Sequence, residues 1–449
     1  NVGMNVPETT TMLSHRLGQQ GYRTHYVGKA HFQCYTGNDQ WPNKSPTESG
    51  SSIESRTGNW EDRYAQWNGP YYGFDEVELC LGHTTRGIAG HYGLWVKDKA
   101  GGSAQLENFS EAVPLNKNPK FGGRALDWGL PTAWHNSTWT ADRSIDFLNQ
   151  NDPAAPFFLA IGFQDPHHPH ALPADFDDRV NPAEVPLPRF THGELDDKPP
   201  HFQLAHRSEI DGSEFRGDFP VAGQGTSAGD ASTVTEEDAR DGRAYYYSMV
   251  RLIDQQMGRI LRCLEERGLT DNTIIVFTTD HGELLGDHGL WLKGPFHYEE
   301  LLNIPMIVRW PGRVPEGTTS DYVTGLEDWV PTLLELLGEK QAAPDNIDGL
   351  SIADVLHGRK QNPRPFLYRE FSGYGGQQAV WAGRWKAVRQ NILRKNNKQP
   401  LKIQLYDLEA DISETNNIAA EKPKVVARLR RLMAREHTPS EFYPIKPLD

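Results

Sequence analysis

Along the chain, amphipathic stretches with apolar residues three and four apart lead repeatedly, after a turn, into short apolar runs. From Glu8 to Gln20, Met12, Leu13 and Leu17 fall at helical spacing, Gly21 stops the helix, and Tyr22–Val27 reads as a strand ending at Gly28. Thr138–Asn151 sets Ala141, Ile145 and Leu148 on one face and turns at Asp152-Pro153. It then enters Phe157–Phe163, a continuous apolar strand of the kind buried on both faces. Glu236–Arg267 repeats the helical step through Tyr246, Met249, Val250, Ile253, Met257, Ile260, Leu261 and Leu264. Thr233 and Glu236 form its expected capping box, Gly268 its stop, and the strand Thr273–Thr279 follows. Pro305–Trp310 is a further apolar strand. Helices alternating with buried strands predict an α/β fold, a mostly parallel sheet sandwiched by helices.

Two stretches depart from this rhythm. Cys34–Pro131 is rich in Gly, Trp, Asn and Ser and reads as long loops; Ala171–Ser232 is polar and Pro/Gly-rich without sustained periodicity. After Gly358 the pattern changes to strands at Pro365–Phe371, Gln377–Arg389 (with a hairpin turn at Ala382-Gly383) and Ile403–Leu408, then a basic helix at Lys424–Glu436. The predicted organisation is a catalytic α/β domain over 1–360 and a small α+β domain over 361–449, with antiparallel sheet and helix.

Composition narrows the function. The 449 residues carry 46 Lys and Arg against 60 Asp and Glu, a net charge of −14, which argues against a nucleic-acid partner bound by charge. The longest apolar runs are strand-sized, so no membrane span is expected. Cys34, Cys80 and Cys263 are too scattered for a disulfide framework or a metal knuckle.

In open α/β sheets, ligands bind outside the carboxyl ends of the strands. Here those ends deliver Lys29 and His31, then His167, His168 and His170, then Asp280 and His281 with Lys293 beyond. Lysines supply fixed charge for a sulfate or phosphate group, a histidine protonates a leaving alkoxide, and an adjacent Asp and His supply part of a divalent-cation site. Asp287-His288-Gly289 reads as structural. His168, His170 and His297, with the loops near Trp60, Trp67 and Trp95, are candidates for the substrate subsite.

At these residues the chain resembles the sulfatase family of the alkaline-phosphatase-like superfamily. The likeness runs through Gly21-Tyr22-Arg23-Thr24 with Gly28-Lys29-Ala30-His31, Pro166-His167-His168-Pro169, Asp271-Asn272-Thr273 with Asp280-His281-Gly282-Glu283, Gly286-Asp287-His288-Gly289, Lys293-Gly294, Arg309-Trp310-Pro311-Gly312, and Leu405-Tyr406-Asp407-Leu408 with Glu414 and Asn417. Ala30 stands where the family has Trp. The resemblance implies that Lys29 and Lys293 bind sulfate oxygens, His31 orients the nucleophile, His167 acts as general acid, and Asp280 and His281 ligate a divalent metal, Ca2+ in the first place and Mn2+ in the second. It implies a formylglycine nucleophile from a C/S-x-P-x-R motif, a context that none of the three cysteines has. The paired metal aspartates of the family's first strand are also absent, so both are expected upstream of Asn1. The activity implied is hydrolysis of a sulfated small molecule or glycan. A phosphonate monoester or phosphodiester hydrolase, to which the imidazole of His281 bears some relation through metal preference, and a non-catalytic carbohydrate-binding relative are the alternatives.

Overall fold

The computed structural model describes residues 6–7, 9–33, 53–54, 65–83, 86–109, 112–114, 125–207, 231–294, 296–340, 343, 347–371, 376–390, 402–440 and 445. They fall into two compact units, Asn1–Leu187 with Thr233–Asp271, and Pro188–Ser232 with Asn272–Asp449.

In the first unit the strands are β1 (Arg23–Gly28), β2 (Glu76–His83), β3 (Arg86–Ala89), β4 (Ala112–Pro114), β5 (Ala125–Trp128), β6 (Phe157–Gly162) and β7 (His170–Pro173). Its main sheet has the order β3-β2-β1-β6, with β1 parallel to both β2 and β6 and only β3 antiparallel. Its longer helices are α1 (Leu13–Gln19), α2 (Gly90–Ala100), α3 (Asn136–Gln150) and α4 (Glu236–Glu266). Val27, Tyr92, Val96, Trp128 and Trp139 form one core cluster, and Val77, Leu79 and Leu81 of β2 lie in another. α3 and α4 pack together, with Arg259 Nη2 donating to Asp142 at 2.5 Å.

Several expectations are corrected here. The stretch Cys34–Pro131 is not all loop, because β2 occupies an inner position of the sheet. Its alternation Val77, Leu79, Leu81 buries one face completely, whereas the expected signal was a continuous apolar run. β6, which reads as buried on both faces, is an outer strand of the described sheet and is half-buried along its length. The α4 capping box sits two residues later than expected, between Thr235 and Asp238, since the first turn of the helix begins at Glu236.

The second unit contains β8 (Ile275–Thr278) and β9 (Met306–Arg309), which pair antiparallel rather than extending a parallel sheet, because the connection between them returns the chain in the opposite direction. β10 (Leu367–Phe371), β11 (Gln377–Ala382), β12 (Trp385–Arg389) and β13 (Gln404–Asp407) form the predicted antiparallel sheet. The hairpin turns through Gly383 at φ +63°. Its longer helices are α5 (Trp329–Leu336) and α6 (Pro423–Glu436). Leu429 and Met433 of α6 pack on Val380, Ala387 and Leu405, covering one sheet face. Among the described residues no helix is long and apolar enough to cross a membrane. Cys34 and Trp60 lie outside the described residues.

Candidate active site

In the first unit the site residues leave from neighbouring parallel strands. Gly28 of β1 is in register with Gly162 of β6, and the Lys29 amide donates to the Gly162 carbonyl at 2.7 Å. The approach is too close for side chains. A Cβ on Gly28 would lie 2.1 Å from the Gly162 oxygen, and one on Gly162 would lie 2.3 Å from the Lys29 oxygen. Gly28 also adopts φ +103°, which L side chains rarely adopt. The Tyr26 hydroxyl donates to the Lys29 carbonyl and pins the turn. Lys29 is half-buried, Ala30 buried and His31 exposed.

β6 runs into Gln164-Asp165-Pro166-His167. Nδ1–H of His167 donates to the His168 carbonyl at 2.7 Å, and the two rings stack with centroids 4.2 Å apart. This fixes the tautomer and gives Nε2 the role of exchanging a proton. A polar cluster lies behind the loop. Asp165 is buried, and its Oδ2 accepts from Ser137 Oγ at 2.5 Å and lies 3.5 Å from Nδ1 of buried His135. Burial raises the Asp165 carboxyl, with His135, Ser137 and Lys29 opposing; burial also lowers His135. Asn136 Nδ2 donates to Gln164 Oε1, and Gln164 Nε2 donates to the Cys80 and Gly82 carbonyls. The reading by sequence missed this cluster, although Asp165 lies two residues from His167. His170 belongs to β7 and is fully buried, edge-on to Tyr246 at 5.4 Å. Trp67 stacks on His91, and Trp95 stacks on Tyr92 beneath Lys99.

In the second unit Asp280 and His281 follow β8. Nδ1–H of His281 donates to the Gly282 carbonyl at 2.7 Å, and its Nε2 accepts from Lys293 Nζ at 3.0 Å. The Asp280 Oδ2 atom lies 3.6 Å from that nitrogen. A basic imidazole nitrogen beside an exposed carboxylate fits a divalent cation, and the Lys293 ammonium meets that nitrogen in the arrangement described. Among the described residues no group of three His, Cys, Asp or Glu side chains suits a metal ion. Burial lowers the Lys293 ammonium, with Asp280 and Glu283 pulling it back up. Gly282 is required by packing, since a Cβ there would lie 1.9 Å from the Glu300 carbonyl oxygen.

His297 is enclosed, with Arg369 Nη1 donating to its Nδ1 at 3.1 Å; burial, then the charges of Arg369 and Lys386, push it well below its ordinary value. An enclosed His170 or His297 has no surface to offer a substrate, so of the three subsite candidates His168 keeps the accessible position.

His288 is a structural clamp, as the sequence suggests. Its ring stacks on Tyr298 at 3.7 Å and lies between Glu194 at 2.5 Å and Glu300 at 3.3 Å. Burial pulls its pKa down, but hydrogen bonds to the two carboxylates outweigh it and raise the value to about 9. The ordinary value is 6.5, so this stabilisation is complete below about pH 6.5 and disappears as pH rises through about 9. Replacing His288→Gln is expected to cost on the order of 2–3 kcal/mol near neutrality. In urea unfolding across pH, the gap between variant and wild type should narrow toward pH 9; a gap that is constant or widens would remove the charged-clamp assignment.

The sulfatase family profile matches residues 2–339, and the profile described as N-sulphoglucosamine sulphohydrolase, C-terminal, matches 286–438. An arylsulfatase of Clostridium perfringens is 29% identical over 355 residues, 77% of this chain and 65% of its own length. A choline-sulfatase of Rhizobium meliloti is 29% identical over 354 residues, 72% of this chain and 63% of its own length. The chain thus spans just under two thirds of either relative. A phosphonate monoester hydrolase from Silicibacter pomeroyi shares the fold at a TM-score of 0.69 and 21% identity, covering 97% of this chain and 81% of that one. With the family profile spanning residues 2–339, the chain belongs to the sulfatase family.

Proposed function

We propose that the full-length protein hydrolyses sulfate esters of a small molecule or glycan. The observation that carries this reading is the pairing of β1 and β6, which sets Lys29 and a tautomer-fixed His167 on adjacent strand ends. Family membership supports it. Lys29 and Lys293 supply fixed positive charge to the sulfate oxygens. His31 orients the nucleophile, a formylglycine that the family implies. His167, as the imidazolium with Nδ1–H kept on the His168 carbonyl, gives its Nε2 proton to the departing oxygen, and His168 lies toward the leaving alcohol. Asp280 and His281 would hold a divalent cation, Ca2+ before Mn2+, which when bound neutralises charge on the transferring group.

The test is turnover by the full-length enzyme of 4-nitrophenyl sulfate, a sulfated monosaccharide and the monoester 4-nitrophenyl phenylphosphonate. Sulfate esters are expected to be the faster class, and Lys293→Ala is expected to lower kcat/KM on each of them by about 10²–10³-fold. Turnover of the phosphonate with inert sulfates would replace the reading with phosphonate ester hydrolysis. Saturable binding of the sulfated sugar without turnover would replace it with a non-catalytic role.

A further inference from the structure

The turn that follows β1 is held by a buried carboxylate that no signature motif contains. Glu54 is fully buried, and its Oε1 accepts the backbone N–H of Phe32 at 2.9 Å, that of Gln33 at 3.3 Å, and the Tyr71 hydroxyl at 2.7 Å. The clamp is reciprocal, because Gln33 Oε1 accepts the Ile53 N–H at 2.7 Å. Phe32 and Gln33 directly follow Lys29-Ala30-His31, so the backbone presenting both site residues is anchored at β1 by Gly162 and at its far end by Glu54. Oε2 of Glu54 is buried with no hydrogen-bond partner among the described residues, and the Lys29 ammonium lies within electrostatic reach of the carboxyl.

We infer that Glu54 is a positioning residue for the anion-binding turn, fixing Lys29 and His31 and setting the net charge that a bound oxyanion meets. Three donors on one oxygen are more than tethering a surface turn requires, and leaving the other oxygen bare costs stability unless something offsets it. Presenting a preorganised cation is such an offset, since a site works only as well as the residues behind it hold it. Among the described residues the titratable groups facing Glu54 are Tyr71 and Lys29; those facing Lys29 include Asp165 and Cys80. Burial raises Glu54 to about 7, with Tyr71, the Phe32 and Gln33 amides and Lys29 opposing. Its charge therefore changes near neutrality, and above that pH it subtracts from the field of Lys29.

The inference rests on the sulfate-binding role of Lys29, and the experiment separates the two. Inorganic sulfate is titrated by calorimetry into the full-length, metal-loaded enzyme and its Lys29→Ala, Glu54→Ala and Glu54→Gln variants, at pH values about one unit below and above 7. Glu54→Ala loosens the turn and also removes the charge, so it is expected to weaken sulfate about tenfold at the lower pH and by less at the higher. Glu54→Gln keeps an acceptor for the amides but cannot ionise. The loss of sulfate affinity between the lower and the higher pH is therefore expected to be about 3–10-fold smaller than in wild type. A purely structural Glu54 would not produce that difference. If Lys29→Ala binds sulfate as wild type does, the role of Lys29 fails. If Lys29→Ala weakens sulfate while Glu54→Gln keeps the wild-type pH dependence, the inference about Glu54 fails, whether or not Glu54→Ala folds.

Discussion

In the full-length enzyme, His167→Ala should slow hydrolysis of alkyl or sugar sulfates by about 10²–10⁴-fold, the usual contribution of a general acid. On an activated aryl ester such as 4-nitrophenyl sulfate the loss should be far smaller, because that leaving group departs as a stable anion and needs no proton. The geometry behind the asymmetry is the Nδ1–H bond to the His168 carbonyl, which commits the second ring nitrogen to proton exchange. Stacking on His168 holds the ring plane. The comparison is kcat/KM for both substrates in both proteins. Equal losses on the two would make His167 a binding residue.

The parts of this site that were legible in the sequence are those built locally. Lys29 directly follows β1, and His167 and Asp280 lie a few residues beyond β6 and β8, whose apolar runs are short and continuous, so strand end and polar residue could be read together. The parts that were not legible depend on groups far apart in the chain. Glu54 gains its place from Phe32, Gln33 and Tyr71, between 17 and 22 residues away. Nothing near Glu54 in the sequence marks it as buried. His288 meets Glu194 across 94 positions, and His297 meets Arg369 across 72. His297 reads as a candidate for the substrate subsite, but tertiary packing encloses the ring beside a guanidinium. β2 was hidden for a different reason. Its alternation is plain, but it lies in a Gly- and Trp-rich stretch whose composition outweighed a three-residue pattern at Val77, Leu79 and Leu81.

The largest effect on stability is expected at Lys386, in the middle of the antiparallel sheet. Its side chain is fully buried on β12, and its ammonium donates to Glu299 Oε1 and Glu414 Oε2, both at 2.8 Å. Each carboxylate has a further partner: Glu299 accepts from Trp381 Nε1 at 2.9 Å, and Glu414 accepts the Glu299 backbone N–H at 2.8 Å. Burial raises the Glu414 carboxyl and Lys386 opposes it, so the lysine is what keeps an enclosed acid tolerable as an anion. Lys386→Met preserves the volume but leaves two acids without their cation, and breaking a buried pair from one side costs about 3–5 kcal/mol. Protonation relieves that cost, so the deficit should be greatest above the ordinary carboxylate value of 4.5 and shrink as pH falls below it. Adding Glu414→Gln to Lys386→Met removes one of the uncompensated charges and should recover part of the loss at neutral pH. Urea unfolding of the three proteins at neutral and acidic pH measures both effects. A single variant as stable as wild type at neutral pH, or a double variant no better than the single, would mean that packing of the lysine stem, not its charge, holds β12 to the sheet.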